Sequence, residues 1–326
     1  NKLMDTTLVY NDFRAIYDAA IRYRGSSFIR QAGDPITLTS AYAFKTPKHD
    51  PLLGTRSFNL DGLEFGRDTT YQGERMCYWI ADQINLPFNY ERYVHIYVSN
   101  VKKGNIYADV SFPNADWVGT WFPEDRDGSL YEIDDWFEYD DGLGHNHLDA
   151  TLGKYLTTCG QYKRARYRWN WEKKTRFASD DSYRDIFTLA DAMNLPLGDL
   201  YDTRVSALVD FENWMRIFAV RHSVGDWDGY GYQRGKNTYT YNPNASGWKM
   251  LLWDLDFSLG AGSHGPSTGM FSSIGDPVLS TKFFVHPRFR RAYYRAMHSL
   301  AYGPYQPDTR NAVLDAQYVA FITNGV

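Results

Sequence analysis

The sequence predicts an α+β fold of two lobes, a β-rich N-terminal lobe over residues 1–132 and a mainly α C-terminal lobe over 133–326, forming one unit. Three patterns predict it. Period-two alternation dominates the first third, helical periodicity dominates the last half, and a short hairpin pattern is set into the helical part. In the first lobe "AIRYRGSS" alternates into a Gly-Ser turn and "TLTSAYAFK", ending at Lys45, alternates again. "TTYQGERMCYWIADQIN" then puts Met76, Trp79, Ile80 and Ile84 on one helical face, with Asp68 or Thr69 as N-cap. "RYVHIYVSNVKKGNIYADVSF" reads as a hairpin turning at Lys102–Asn105.

The segment "FPEDRDGSLYEIDDWFEYDDGLGHNHLD", Phe122 to Asp149, reads as solvated acidic loop. His145, His147 and Asp149 fall in a Gly-rich stretch with no strict metal-ligand spacing, and they read as loop too. Beyond it, "SYRDIFTLADAMN" is helical. A longer helix over Val205–Arg221 carries the apolar stripe Leu208, Phe211, Trp214, Met215 and Phe218. "PRFRRAYYRAMHSLAYG" and "TRNAVLDAQYVAFITN" close the chain as helices.

Composition narrows the function. Of 326 residues 43% are hydrophobic and 23% charged, which describes a globular domain; 26 Tyr, 19 Phe and 10 Trp supply a large aromatic core. Thirty-five basic and 39 acidic residues give a net charge of −4, which does not suit bulk nucleic-acid binding. No apolar run reaches the ~20 residues of a membrane span. The opening "NKLMDTT" has no initiator Met and reads as a mature or excised domain. Two cysteines, Cys77 and Cys159, build neither a zinc site nor a disulfide framework and read as buried thiols. Nothing in the sequence sets an oligomeric state.

Chemistry concentrates in "VGDWDGYGYQRGKNTYTYNPNASGWKMLLWDLDFSLG", Val224 to Gly260. "NTYTYN" and "GWKMLLWDLD" flank the turn signal "NPNASG" and read as a hairpin. Asp228 lies in the loop before it, Asn237 opens the first strand, and Asp254 and Asp256 close the second. On an extended strand side chains two apart share a face, so these two acids form one face with the Asn237 amide nearby. Two carboxylates and an amide oxygen make a hard oxygen site of the kind Mg²⁺ takes while keeping water and phosphate in its other positions. A loop Asp, a following Asn and a metal-binding Asp after a hairpin are also the parts protein kinases use.

The same stretch resembles the CotH kinase family, spore coat proteins distantly related to protein kinases. The likeness runs through Gly225-Asp226-Trp227-Asp228, Asn237-Thr238-Tyr239-Thr240-Tyr241, Asn242-Pro243, Gly247-Trp248-Lys249 and Trp253-Asp254-Leu255-Asp256 with Gly260. Upstream, Tyr23–Ser27, Tyr42–Lys45, the run from Phe58 and the hairpin after His95 resemble further segments, so coverage is about Ile21 to Gly260. The resemblance implies a two-lobed, protein kinase-like fold and an ATP- and Mg²⁺-dependent transfer to Ser/Thr hydroxyls of a protein substrate. It assigns Asp228 as catalytic base, Asn237, Asp254 and Asp256 to Mg²⁺, and Lys45 (or Lys48) with Arg24 to the nucleotide phosphates. A secreted, cell-surface or spore-coat location is implied as well.

Two positions depart from the family pattern. Ser111 stands where a Glu is usual, and Glu132 where a Lys is usual, so either another basic residue compensates or nucleotide binding is weakened. Asn237 follows Asp228 by nine positions, and the inserted "GYGYQRGK" places Arg234 or Lys236 for contact with substrate or phosphate. The departures motivate the alternative of a catalytically silent kinase-like module in coat assembly or adhesion. AMP transfer from ATP is a third option. His222 reads as a satisfied core histidine, and Asp226 is left without a role.

Overall fold

The computed structural model describes residues 3–24, 40–63, 68–135, 149–174, 182–260 and 265–326, so the Gly25–Ser27 turn, His145 and His147 lie outside the described residues. The chain is mixed α/β, with two antiparallel sheets and eight described α-helices. It forms two compact units that are not sequential halves. One comprises Asn1–Tyr71, Asn89–Phe112 and Phe321–Val326; the other comprises Gln72–Phe88 and Pro113–Ala320. Among the described residues no helix is long and apolar enough to cross a membrane.

The first unit is a six-stranded antiparallel sheet of β1 (Met4–Tyr10), β2 (Arg14–Tyr23), β3 (Tyr42–Lys45), β4 (Ser57–Gly62), β5 (Glu91–Val98) and β6 (Val101–Val110), in the order β1-β2-β3-β4-β6-β5. Ile16, Ala19, Phe44, Leu52 and Phe58 form its buried cluster. The β5–β6 hairpin is present, but its turn falls at Ser99-Asn100 rather than at Lys102–Asn105. Both turn residues have positive φ, 50° and 64°, which matches a tight two-residue turn to the twist of the strands. The Lys-Lys-Gly-Asn run lies inside β6, and Gly104 (φ 54°) falls where the pairing register shifts opposite His95.

The second unit holds the other sheet, ordered β10-β9-β7-β8, all antiparallel: β7 (Ser129–Ile133), β8 (Trp171–Lys173), β9 (Thr238–Asn242) and β10 (Lys249–Leu252). The expected hairpin is β9–β10. The acidic segment is not all loop, because "SLYEI" pairs with β9 on one side and β8 on the other. Its local composition is acidic, yet Leu130, Tyr131 and Ile133 are buried, and partner strands supply the backbone hydrogen bonds.

Helices α1 (Gly73–Gln83), α2 (Ala115–Trp121), α3 (Arg164–Asn170), α4 (Arg184–Met193), α5 (Asp199–Leu208), α6 (Phe211–Val224), α7 (Pro287–Tyr302) and α8 (Pro307–Thr323) follow in chain order. Two differ from the sequence reading. Helix α1 starts after Gln72 without a side-chain cap, because Asp68 accepts instead from the Thr70 N–H (2.8 Å) and hydroxyl (2.6 Å). The single helix over Val205–Arg221 is two, broken at Val209-Asp210. There Val209 bridges to Trp248, the Asp210 N–H donates to the Trp248 carbonyl (3.0 Å), and Asp210 caps α6 by accepting from Asn213 N–H (3.0 Å). Gly247 is required for this join, since a Cβ there would lie 2.7 Å from the Asp210 amide nitrogen. Trp214 Nε1 donates to the Trp248 carbonyl (2.8 Å) and Met250 N–H to Asn213 Oδ1 (2.8 Å), which locks β10 along α6. Both cysteines are free; Cys77 is buried as expected, but Cys159 is exposed.

Candidate active site

The site grows out of the C-terminus of α6. Gly225 takes the left-handed conformation (φ 72°) after the last helical residue. Its N–H donates to His222 (3.2 Å), and Asp226 N–H reaches back to the Arg221 carbonyl (3.0 Å), a Schellman closure. That closure returns Asp226 over the last turn, onto Arg221. Both side chains are fully buried and form an ion pair. The other arm of the guanidinium donates to the Asn237 carbonyl, to Thr238 Oγ1 (2.8 Å) and to the Trp253 carbonyl (3.1 Å). Arg221 therefore ties the helix end to both strands of the hairpin. Gly229 leaves the space for it, because any Cβ there would overlap the guanidinium. Sequence reasoning missed Arg221 and so left Asp226 without a role. The Gly225 cap signal after "RHSV" was the clue available.

The hairpin brings the predicted acids together, but not on an extended strand. β10 ends at Leu252, and Asp254 adopts φ 57°, so Asp254 and Asp256 are not a same-face strand pair. Asn237, just before β9, mirrors this with φ 53°. Asn and Asp tolerate this region better than other residues, and such outliers collect where the surrounding structure enforces them. Asn237 Nδ2 donates to Asp228 Oδ2 (3.1 Å), so the Asn and the loop Asp meet directly, and the Asn237 amide oxygen is the atom left to meet a cation. Lys236 Nζ lies 3.4 Å from the same Asp228 oxygen.

Helix α1 contributes a carboxylate the sequence reading did not include. Glu74 Oε1 accepts from Leu255 N–H (3.2 Å), between Asp254 and Asp256, and from the Tyr78 hydroxyl (2.9 Å). Five acids thus influence one another. Burial pushes Asp226 up to about 7, against the pull of Arg221 and with Asp228 and Asp254 adding to the rise. Burial also raises Asp228, while Lys236, Arg234 and Asn237 restrain it. Asp256 is driven well above the carboxylate range by burial and then by Asp254, Glu74, Asp226 and Asp228. The Asp256 residue keeps some accessible surface, but its Oδ1 is enclosed and has no hydrogen-bond partner among the described residues. An enclosed oxygen beside four other carboxylates is a place where a cation is electrostatically favoured. Among the described residues no three acid, imidazole or thiol side chains stand ready as a metal cluster. Two carboxylates and an amide oxygen completed by water and phosphate do not require one, and Asp254, Asp256 and Asn237 are the oxygen donors that the hairpin offers for such a set.

A model of the CotH kinase protein family matches residues 21–321, nearly the whole chain. The chain belongs to the CotH kinase family. The match continues past Gly260, so the C-terminal helices, which lie beyond the resembling segments, fall within the family's extent. Membership points to a kinase-like function. No curated protein matches the chain.

The other residues read from the CotH pattern fall as follows. Lys45 ends β3 in the first unit with its side chain exposed, as is that of Lys48. Arg24 follows β2 in the same unit and forms an ion pair with Asp61. The two CotH departures are both accommodated locally. Ser111 Oγ accepts from Tyr90 N–H (2.6 Å), and Glu132 is paired with Lys174 (2.6 Å), which also meets Glu172 (2.6 Å). His222 is structural, as expected. Its ring nitrogens meet the Tyr293 hydroxyl (2.8 Å) and the Gly231 carbonyl (2.9 Å), and it stacks on Phe284.

Proposed function

We propose that the chain is an ATP- and Mg²⁺-dependent protein kinase of CotH type, two-lobed in the protein kinase manner, that phosphorylates Ser/Thr hydroxyls of a protein substrate. The observation that carries this reading is the enclosed, unpartnered Asp256 oxygen among five acids at the open end of the hairpin. Acids placed so close are a liability unless a cation joins them. Asp254, Asp256 and the Asn237 amide oxygen hold Mg²⁺, and Lys45 and Arg24 meet the nucleotide phosphates. Bound Mg²⁺ supplies the positive charge that offsets the transferring phosphoryl oxygens.

Asp228 acts as base. The substrate hydroxyl oxygen forms a bond to the γ-phosphorus, the bond to the β–γ bridging oxygen breaks, ADP leaves, and the hydroxyl proton passes to Asp228. Burial that raises the Asp228 carboxyl makes it a better proton acceptor than an exposed aspartate. Asn237, donating to the same carboxylate, orients it.

Asp228→Ala and Asp254→Ala are each expected to lower phosphate transfer from ATP by about a hundredfold or more, with an unchanged circular dichroism spectrum. Wild-type-like transfer from either variant overturns the assignment. Calorimetric titration with Mg-ATP is expected to show binding; no heat of binding would favour a silent module instead. Mass spectrometry of the modified substrate separates added phosphate from added AMP.

A further inference from the structure

A second acidic group stands behind the loop that joins Asp228 to Asn237. Asp135, two residues past the end of β7, is buried. Its backbone is fixed, because Asp135 N–H donates to Asp134 Oδ1 (2.8 Å) while Asn170 holds Asp134 through both its carbonyl (3.1 Å) and its amide nitrogen (2.9 Å). Asp149 stands close enough to Asp135 to raise its carboxyl, and lies 3.9 Å from Arg234. Lys236 Nζ sits between Asp228 Oδ2 at 3.4 Å and Asp135 Oδ2 at 3.9 Å, with only 17% of the lysine side chain exposed.

The loop delivering this ammonium is built tightly. Tyr230 N–H donates to the Lys236 carbonyl (2.8 Å), the Tyr230 hydroxyl donates to buried Asp276 (2.6 Å), and Ala150 N–H donates to the Gly235 carbonyl (3.2 Å). A Cβ at Gly235 would lie 2.3 Å from the Ala150 amide nitrogen, so the glycine permits the close approach. A lysine held by one carboxylate can rotate about it; one held between two is fixed along the line joining them.

We propose that Lys236, anchored by Asp135, is a positioning residue that fixes the Asp228 carboxylate for proton transfer. The catalytic half of this inference rests on the kinase reading. The nine-residue spacing between Asp228 and Asn237 is then no slack insertion. It carries the cation that links the base to β7, a strand about a hundred residues earlier in the chain. Burial, reinforced by Asp149, lifts Asp135 to about 8 against the pull of Lys236.

The test is a double-mutant cycle over Lys236→Met and Asp135→Asn, with Lys236→Arg as the conservative variant, read in phosphate transfer and in urea unfolding. Lys236→Met is expected to lower kcat on the order of ten- to a hundredfold with KM for Mg-ATP unchanged, and Lys236→Arg to recover most of it. Asp135→Asn is expected to cost about threefold alone and nothing further in the Lys236→Met background. Multiplicative effects on kcat, or a rise in KM with kcat intact, overturn the inference. A wild-type chain that transfers no phosphate overturns the kinase reading and the catalytic half with it. The unfolding cycle decides separately whether the two carboxylates share the ammonium, with strict additivity as the result against it.

Discussion

Asp226 and Asp256 are both enclosed acids of the same cluster, and they are treated in opposite ways. Asp226 lies against Arg221, which spends its second arm on two carbonyls and a hydroxyl, so the pair is a hydrogen-bonded joint between helix and hairpin. After burial, the strongest influences on the Asp256 carboxyl are other acids, and its enclosed Oδ1 has no hydrogen-bond partner among the described residues. One acid has its cation within the protein, although its Oδ1 is enclosed without a hydrogen bond too. The other has no such counter-charge and must take a cation from outside, which is how a structural charge is told from a functional one in a shared environment.

The largest effect should come from breaking the complete pair. Arg221→Met leaves Asp226 buried without its cation and is expected to cost about 3–5 kcal/mol in urea unfolding. Arg221→Met/Asp226→Leu should recover much of that loss, and failure to recover would mean that the bonds to the hairpin carbonyls matter more than the charge. Next comes pH. Asp226 titrates near 7 in the folded chain against about 4 unfolded, and Asp228 and Asp256 are raised in the same sense. Between these values the folded state binds more protons, so metal-free stability should fall as pH rises from about 4 through 7, by at most ~1.4 kcal/mol per pH unit for each such acid. Saturating Mg²⁺ should flatten this slope; an unchanged slope would speak against a cation at the cluster.

Smaller, and opposite in sign to the first, is Asp256→Asn. It removes a carboxyl whose ionisation burial and the neighbouring acids oppose, and it should stabilise the metal-free chain by about 1 kcal/mol while abolishing any stabilisation by Mg²⁺. A loss of stability would place Asp256 with Asp226 among the structural acids. The smallest effect is expected of Lys249→Met. Its ion pair with Asp210 (2.7 Å) is partly exposed, at 17% and 32%, and should be worth less than about 1 kcal/mol by thermal unfolding.

Strong local patterns were legible in the sequence: the β9–β10 hairpin from its alternation and Asn-Pro turn, the two C-terminal helices from their period, and the acids of the site from their crowding in aromatic sequence. What misled was local pattern without its partner. "SLYEI" sits in acidic sequence and becomes a strand because β8 and β9 flank it. The apolar stripe from Leu208 to Phe218 runs through a helix break that Trp248 dictates. The same-face argument for Asp254 and Asp256 failed because it assumed an extended backbone, whereas the strand stops at Leu252.

The sequence by itself determined which chemistry was at stake: four aspartates and an asparagine around one hairpin, in the order of the CotH kinase family. Residue types and short-range spacing are properties of the chain, and they survive whatever the fold does. Only the tertiary structure decided which acid is neutralised and which is left for a cation. That choice depends on Arg221 crossing from a helix end to both strands, on Glu74 arriving from α1, and on Asp135 and Lys236 meeting across about a hundred residues of sequence. Electrostatic energy falls with distance through space, and separation along the chain does not report it.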